Sequence, residues 1–382
     1  MHRVPTLWRR LRAAALAAAT LWAVSVTSGS DTAASAARAL CQALPLQALR
    51  WELGDLGRGD RLSPAAAMTL GESPLLLAAR PAVAELRRQE ESAPESPREE
   101  GVTTVPVEET PLEAPQAADN GVPARTLVPT DPSGYTVAGR AYITNSTDYS
   151  LAPPDLLEPF AAQLTPEEPQ VLILHTHGSE AYTPAPGTEV VWSGNHRTTD
   201  SRYNVVAVGD AMAEVLGEAG ISVIHDRTLY DYPSYSGAYD RSLAAIQSYL
   251  AQYRTIRFIL DVHRDAIEDG QGNQYKVVSA IEGEGTAAAQ LTLVVGSDGS
   301  GLTHPHWKEN LRLAVAVQQD ALACYPTLMR PILLRNSRYN QHATTGSLLI
   351  EAGAAGNSPE EAVLAGRLFA QRMAEVLQAQ SK

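Results

Sequence analysis

In the second half of this chain, apolar residues follow two rhythms. Short continuous runs, Val171-Leu172-Ile173-Leu174, Phe258-Ile259-Leu260 and Leu348-Leu349-Ile350, alternate with stretches where apolar residues recur at helical spacing. A short run bounded by polar residues reads as a strand buried on both faces, and recurrence every three to four residues reads as a helix burying one face. The spacing predicts helices over 203–217, with Val205, Val208, Met212, Val215 and Leu216 on one side, about 241–253, and 308–324. Further strands are expected at 221–224, 275–281 and 291–295, and order is expected to begin near Gly134, where 135–145 alternates in a strand-like way. The last helix carries its own start signal: Ser358 and Glu361 can cap reciprocally, with Pro359 at the first helical position. Strand and helix alternating from Val171 to the end imply an α/β fold of three layers, with helices on both faces of a sheet.

Three of the apolar runs end in ligand-type side chains. The first runs into His175-Thr176-His177-Gly178-Ser179-Glu180, the second into Asp261-Val262-His263-Arg264-Asp265, and the third into Glu351-Ala352-Gly353. Strand ends are where open α/β sheets place their chemistry. Imidazole and carboxylate form the ligand set of a catalytic zinc, which keeps three protein ligands and leaves a position for water. A nearby glutamate can take the proton of that water and pass it to a leaving amine, so amide hydrolysis is the natural reaction. One such motif alone would equally suit loop residues with ordinary hydrogen bonds; three of one chemical type favour a shared site.

Composition adds boundaries. Arg3, Arg9, Arg10 and Arg12 precede an apolar stretch from Ala13 to Val26, the layout of an export signal. The stretch falls short of the roughly 20 residues that span a bilayer comfortably, so both cleavage and retention are open, and an uncleaved membrane anchor is favoured. Basic residues on its N-terminal side would keep that end in the cytoplasm and place the remainder outside. Residues 31–133 are expected to form an Ala-rich, then Pro- and Glu-rich, disordered tether, because 81–130 lacks the apolar content to offset the entropy of ordering. The catalytic domain is expected over 134–382. Cys41 and Cys324 are the only cysteines, which excludes a disulfide framework, and a net charge of −13 speaks against a nucleic-acid partner.

The blocks His175-Thr176-His177-Gly178-Ser179-Glu180-Ala181-Tyr182, Asp200-Ser201-Arg202-Tyr203-Asn204, Asp261 to Asp265, Tyr339-Asn340-Gln341 and Leu349 to Gly353 together resemble the stage II sporulation protein P family. That resemblance implies a phosphorylase/hydrolase-like α/β fold and zinc-dependent N-acetylmuramoyl-L-alanine amidase chemistry on peptidoglycan, with cleavage of peptide cross-links besides. It also implies membrane anchoring during spore engulfment and a lytic transglycosylase as partner. By the same resemblance His263 is a zinc ligand and Glu351 the catalytic carboxylate. His177 and Glu180 form a His-x-x-Glu pair like that of zinc carboxypeptidases of related fold; muramoyl amidases instead take a carboxylate from just before the first helix, which points to Asp200. The ligand set is therefore taken as His177, Glu180 and His263, with His175 and Asp200 as alternates.

Arg264 is a candidate for stabilising the oxyanion or holding a substrate carboxylate, against an ion pair with Asp261 or Asp265. Asp261 is a candidate for orienting His263 or His175. Tyr230, Tyr232, Tyr235 and Tyr239 suit either a substrate groove or loop packing. His225 reads as structural, His304 and His306 as loop residues, and His342 as a residue able to reach the site. Two other readings remain open: a carboxypeptidase acting on free peptides, and a non-catalytic peptidoglycan-binding scaffold.

Overall fold

The computed structural model describes residues 118–381 apart from 130, 166, 167, 284 and 286. Of the two units into which the chain divides, Met1–Glu95 and Ser96–Lys382, all described residues belong to the second. The expected anchor (1–30) and most of the expected tether lie outside the described residues. No helix among the described residues is long and apolar enough to cross a membrane.

The strands in chain order are β1 (Ala124–Arg125), β2 (Thr136–Ala138), β3 (Ala141–Asn145), β4 (Val171–Leu174), β5 (Trp192–Gly194), β6 (Arg197–Thr198) and β7 (Val223–His225). They continue with β8 (Phe258–Asp265), β9 (Lys276–Ser279), β10 (Ala288–Ala289), β11 (Leu291–Gly296), β12 (Ile332–Arg335) and β13 (Gly346–Ala354). The helices are α1 (Pro153–Leu156), α2 (Val205–Glu218), α3 (Ala238–Gln252), α4 (Trp307–Cys324) and α5 (Pro359–Gln380). Eight strands form one sheet in the order β2-β3-β12-β11-β13-β8-β4-β7. Its β13-β8-β4-β7 half is parallel throughout, and β11 joins β13 antiparallel.

Period-two alternation sorts side chains between the two faces. Val171 and Ile173 of β4 and Phe258, Leu260 and Val262 of β8 enter the main core with α2, α4 and α5. Leu172, Leu174 and Ile259 face the other way and pack with Ala238 and Ile246 of α3. The sheet is thus covered on both sides, which explains why these strands read as unbroken apolar runs. At α5, Ser358 accepts from Glu361 N–H while the Glu361 side chain accepts from Ser358 N–H, and Asn204 caps α2 by accepting from Val206 N–H.

Order begins earlier than the expected Gly134. β1 pairs parallel with β9, Leu127 N–H donates to Gln290 Oε1, and Asn120 Nδ2 donates to Thr183 O and Gly356 O. At Ala118 the backbone N–H donates to Glu361 Oε1, and Lys276 Nζ donates to both Ala118 O and Glu361 Oε1. Polar bonds dock this segment, so a composition poor in apolar residues did not announce it.

Candidate metal centre

Parallel strands β4, β8 and β13 end side by side, and the candidate residues gather at that edge. His263 is the sixth residue of β8, buried, on the same strand parity as Ile259 and therefore on the α3 face. Glu351 of β13 is its Cα partner in the neighbouring parallel strand. His177 and Glu180 come from the loop that leaves β4. One ligand atom from each of His177, Glu180 and His263 lies within 4.8 Å of the others, and all three residues are buried.

Glu180 is the hub. Its Oε1 is 3.5 Å from His177 Nδ1 and its Oε2 is 3.4 Å from His263 Nδ1, while Arg264 N–H donates to Oε2 at 3.2 Å. Burial opposes its ionisation, but the two imidazoles hold its carboxyl well below the usual range. Burial likewise opposes charge on His263, yet Asp261 and Glu180 draw its pKa well above the ordinary value. Two carboxylates thus converge on a proton that a cation would replace. The rings of His177 and His263 stand 5.1 Å apart at 83°, matching the roughly 5 Å expected of two imidazoles on one tetrahedral ion. Donor types, burial and ring spacing all fit zinc.

Asp261 supports the set from beneath. Its carboxylate accepts from Thr176 N–H at 2.8 Å and Thr176 Oγ1 at 2.6 Å, which ties the β4 loop to β8. His263 Nε2 lies 3.0 Å from Asp261 Oδ1 but out of line for a ring N–H bond, so this contact acts through charge. Glu351 Oε2 is buried with no hydrogen-bond partner. Burial, then the Asp265 carboxylate, pushes its pKa up to about 8.

The two alternate ligands stand elsewhere. His175 turns to the α2 side, where Nδ1 meets Val262 O at 2.9 Å and Nε2 meets His225 Nε2 at 2.8 Å. Its buried ring is held neutral, with a pKa lowered to about 3 by burial and then by His225. Asp200 lies in the turn before α2 and pairs with exposed Arg202 at 2.6 Å; a local partner two residues away holds it off the cluster.

Arg264 has a different task from the one expected. Strand alternation sends its side chain away from His263, where Nε, Nη1 and Nη2 donate to the carbonyls of Ala181, Asp265 and His196. Neither expected ion pair forms: Asp261 goes to Thr176 and His263, and the Asp265 carboxylate to Arg330 at 2.8 Å. His342 does not reach the centre; its ring lies 6.4 Å from His304, which is a loop residue as expected and is fully buried.

Several supporting residues carried no pattern visible in the sequence. Arg197 reaches Asp231 at 2.6 Å and Glu180 at 3.5 Å and lies over the Tyr235 ring, while Asp231 accepts from Ser179 N–H and Oγ. Tyr235 stacks on His177 at 4.6 Å and Tyr239 meets it edge-on at 5.5 Å, so two of the four tyrosines wall the centre. Tyr230 instead bonds Asp226, and Tyr232 is exposed.

Comparison with known proteins supplies the relatives. The chain is similar to Stage II sporulation protein P of Bacillus subtilis (strain 168), 27% identical over 212 residues that cover 52% of this chain and 49% of that protein. It therefore spans about half the length of that curated relative. Among solved structures it is similar to the N-acetylmuramoyl-L-alanine amidase AmiC2 of Nostoc punctiforme, with 14% identity, 56% of this chain, 96% of that chain and a TM-score of 0.32. An N-acetylmuramoyl-L-alanine amidase from Clostridium difficile 630 gives 15%, 56%, 96% and 0.35 for the same measures. The α/β fold rests on the strand order itself. The sequence profile described as Stage II sporulation protein P (SpoIIP) matches residues 79–374, and the chain belongs to the stage II sporulation protein P family.

Proposed function

We propose that this chain is a zinc-dependent peptidoglycan hydrolase that cleaves the amide between muramic acid and the stem peptide, and peptide cross-links as well, during spore engulfment. The observation that carries the reading is the buried cluster of His177, Glu180 and His263 beside the unpartnered carboxylate of Glu351. Membership of the family supports the sporulation role and peptidoglycan as substrate. It also supports a lytic transglycosylase as partner and the N-terminal segment as a membrane anchor holding the protein outside the cytoplasm.

His177, Glu180 and His263 would hold the ion. Zinc in that set would supply a Lewis acid for the amide carbonyl and an acidified water. Glu351 is the proton carrier: Oε2 takes a proton from the attacking water and returns it to the departing amine nitrogen. Its raised pKa suits both halves of that task, since a carboxylate near neutrality can accept and then donate. Asp261 places negative charge beside His263, which favours a cation there, and Arg264 fixes the Glu180 loop through Ala181 O. Tyr235 and Tyr239 cover His177 and limit water at the centre.

No observation favours the carboxypeptidase reading. Arg197, the cation beside the cluster, is committed to Asp231 and Glu180 rather than presented to a terminal carboxylate. The test is release of stem peptide from purified sacculi. Wild-type protein is expected to release it and chelated protein to release none; undiminished release under chelation would overturn the metal mechanism.

A further inference from the structure

Beyond the ligand loop the chain turns back as the hairpin β5–β6, and the loop serves as a third strand of that hairpin. Ala181 N–H donates to His196 O at 2.9 Å, Thr198 N–H donates to Ser179 O at 2.8 Å, and Glu180 and Arg197 form an antiparallel bridge. Arg264 Nη2 also donates to His196 O, at 3.1 Å. His196 has a φ of 47°, a conformation rare in a non-glycine residue that persists only where its surroundings over-determine it. Here the surroundings are candidate ligand Glu180's neighbour Ala181 on one side and His263's neighbour Arg264 on the other. The hairpin is thus tied by backbone hydrogen bonds to the loop that carries Glu180.

The same hairpin carries an exposed aromatic residue. Trp192 is the cross-strand partner of Thr198, and its ring meets the His196 ring at 6.2 Å and 72°. It is 46% exposed, and the adjoining Val191 is 84% exposed. Thr198 is in turn bonded to Ser179, so two strand spacings, about 10 Å, separate the Trp192 backbone from the ligand loop.

We propose that Trp192 is a saccharide platform, stacking its indole face on a sugar ring of the glycan strand while the attached peptide enters the metal centre. The inference rests on the peptidoglycan reading above. A scissile amide hanging from a sugar brings ring carbons to the rim of the site, and the apolar C–H face of a pyranose matches a flat aromatic surface. Continuity of the hairpin with the cluster selects this occupant over a second copy or a protein partner, because the backbone ladder ends at Glu180 itself.

The test uses the full-length chain and glycan strands stripped of their peptides. Trp192→Ala is expected to lower co-sedimentation with the stripped glycan about tenfold, and Trp192→Tyr to retain most of it. The KM for intact sacculi rises by a similar factor in Trp192→Ala, while kcat on a soluble single-sugar muramoyl peptide and zinc content stay at wild-type values. Glycan binding equal to wild type in Trp192→Ala overturns the proposal, as does loss of self-association or partner capture without loss of glycan binding. Chelation separates the two readings: continued hydrolysis without metal removes the hydrolase mechanism yet leaves the glycan measurement intact.

Discussion

Glu351 and His263 are Cα partners on adjacent parallel strands and leave the sheet from the same face. One carries a buried oxygen with no partner, and the other is held charged by carboxylates. An unsatisfied buried polar atom forfeits about 1–3 kcal/mol, so a fold keeps one where chemistry uses it.

Replacing Glu351 by Gln removes the proposed proton carrier and keeps the shape. Hydrolysis should fall by about 10²- to 10⁴-fold, with zinc content unchanged and thermal stability equal or higher, because a neutral amide suffers less from burial. Rates on sacculi and metal analysis of the same preparation check this; a rate within a few-fold of wild type would remove Glu351 from the mechanism.

Arg197 joins Asp231 to Glu180, so in the proposed centre it would fix a ligand without touching the ion. Arg197→Ala is expected to weaken zinc affinity by about 10- to 100-fold, measured by competition with a chromophoric chelator. Lysine should not restore it, since one ammonium cannot span the two carboxylates as a guanidinium does. Unchanged affinity in Arg197→Ala would show that Glu180 is oriented by Arg264 N–H alone.

Gly209 of α2 faces the His175–His225 pair. A Cβ there would lie 2.5 Å from His225 Nε2 and 2.6 Å from His175 Nε2, and both rings are already anchored, one on Val262 O and one 3.1 Å from Asp210. Alanine gains about 1 kcal/mol of helix propensity, but the overpacking should cost about 1–3 kcal/mol. Denaturant unfolding of Gly209→Ala should therefore show a net loss or near-balance; a gain of the full propensity value would mean that the pair can move aside.

Acid should destabilise the metal-free protein through its buried neutral imidazoles. Burial, then His342, lowers His304 from the usual 6.5 to about 4. A base whose folded pKa lies below its unfolded value binds its proton on unfolding, so stability is fully present above pH 6.5 and declines as the pH falls toward about 4. His175 adds a loss of the same sign that extends to about pH 3. Unfolding measured from pH 7 to 4 in chelator, with His304→Gln as comparison, should give a shallower decline in the variant; parallel curves would contradict it.

Much of the fold was legible because buried strands and amphipathic helices follow short-range periodicities. The apolar runs at β4, β8 and β13 and the capping box at Ser358 each declare themselves within a few residues. Three cluster members were legible for the same reason, standing at or just beyond strand ends. Arg197 and Asp231 were not, because a two-residue strand and a turn carry no periodicity and the pair joins the ligand loop only through tertiary structure. Arg264 was misjudged on proximity in sequence: the residue after a ligand on a strand points to the opposite face. Asp200 was drawn away by Arg202, and residues 118–127 are docked by polar bonds that composition does not reveal.

Zinc stoichiometry across five single variants tests the central claim most directly. Wild-type protein is expected to bind one equivalent; His177→Ala, Glu180→Gln and His263→Ala should each lose it, while His175→Ala and Asp200→Ala retain it. Retention in Glu180→Gln together with loss in Asp200→Ala would contradict the account, and place the ion on the other carboxylate.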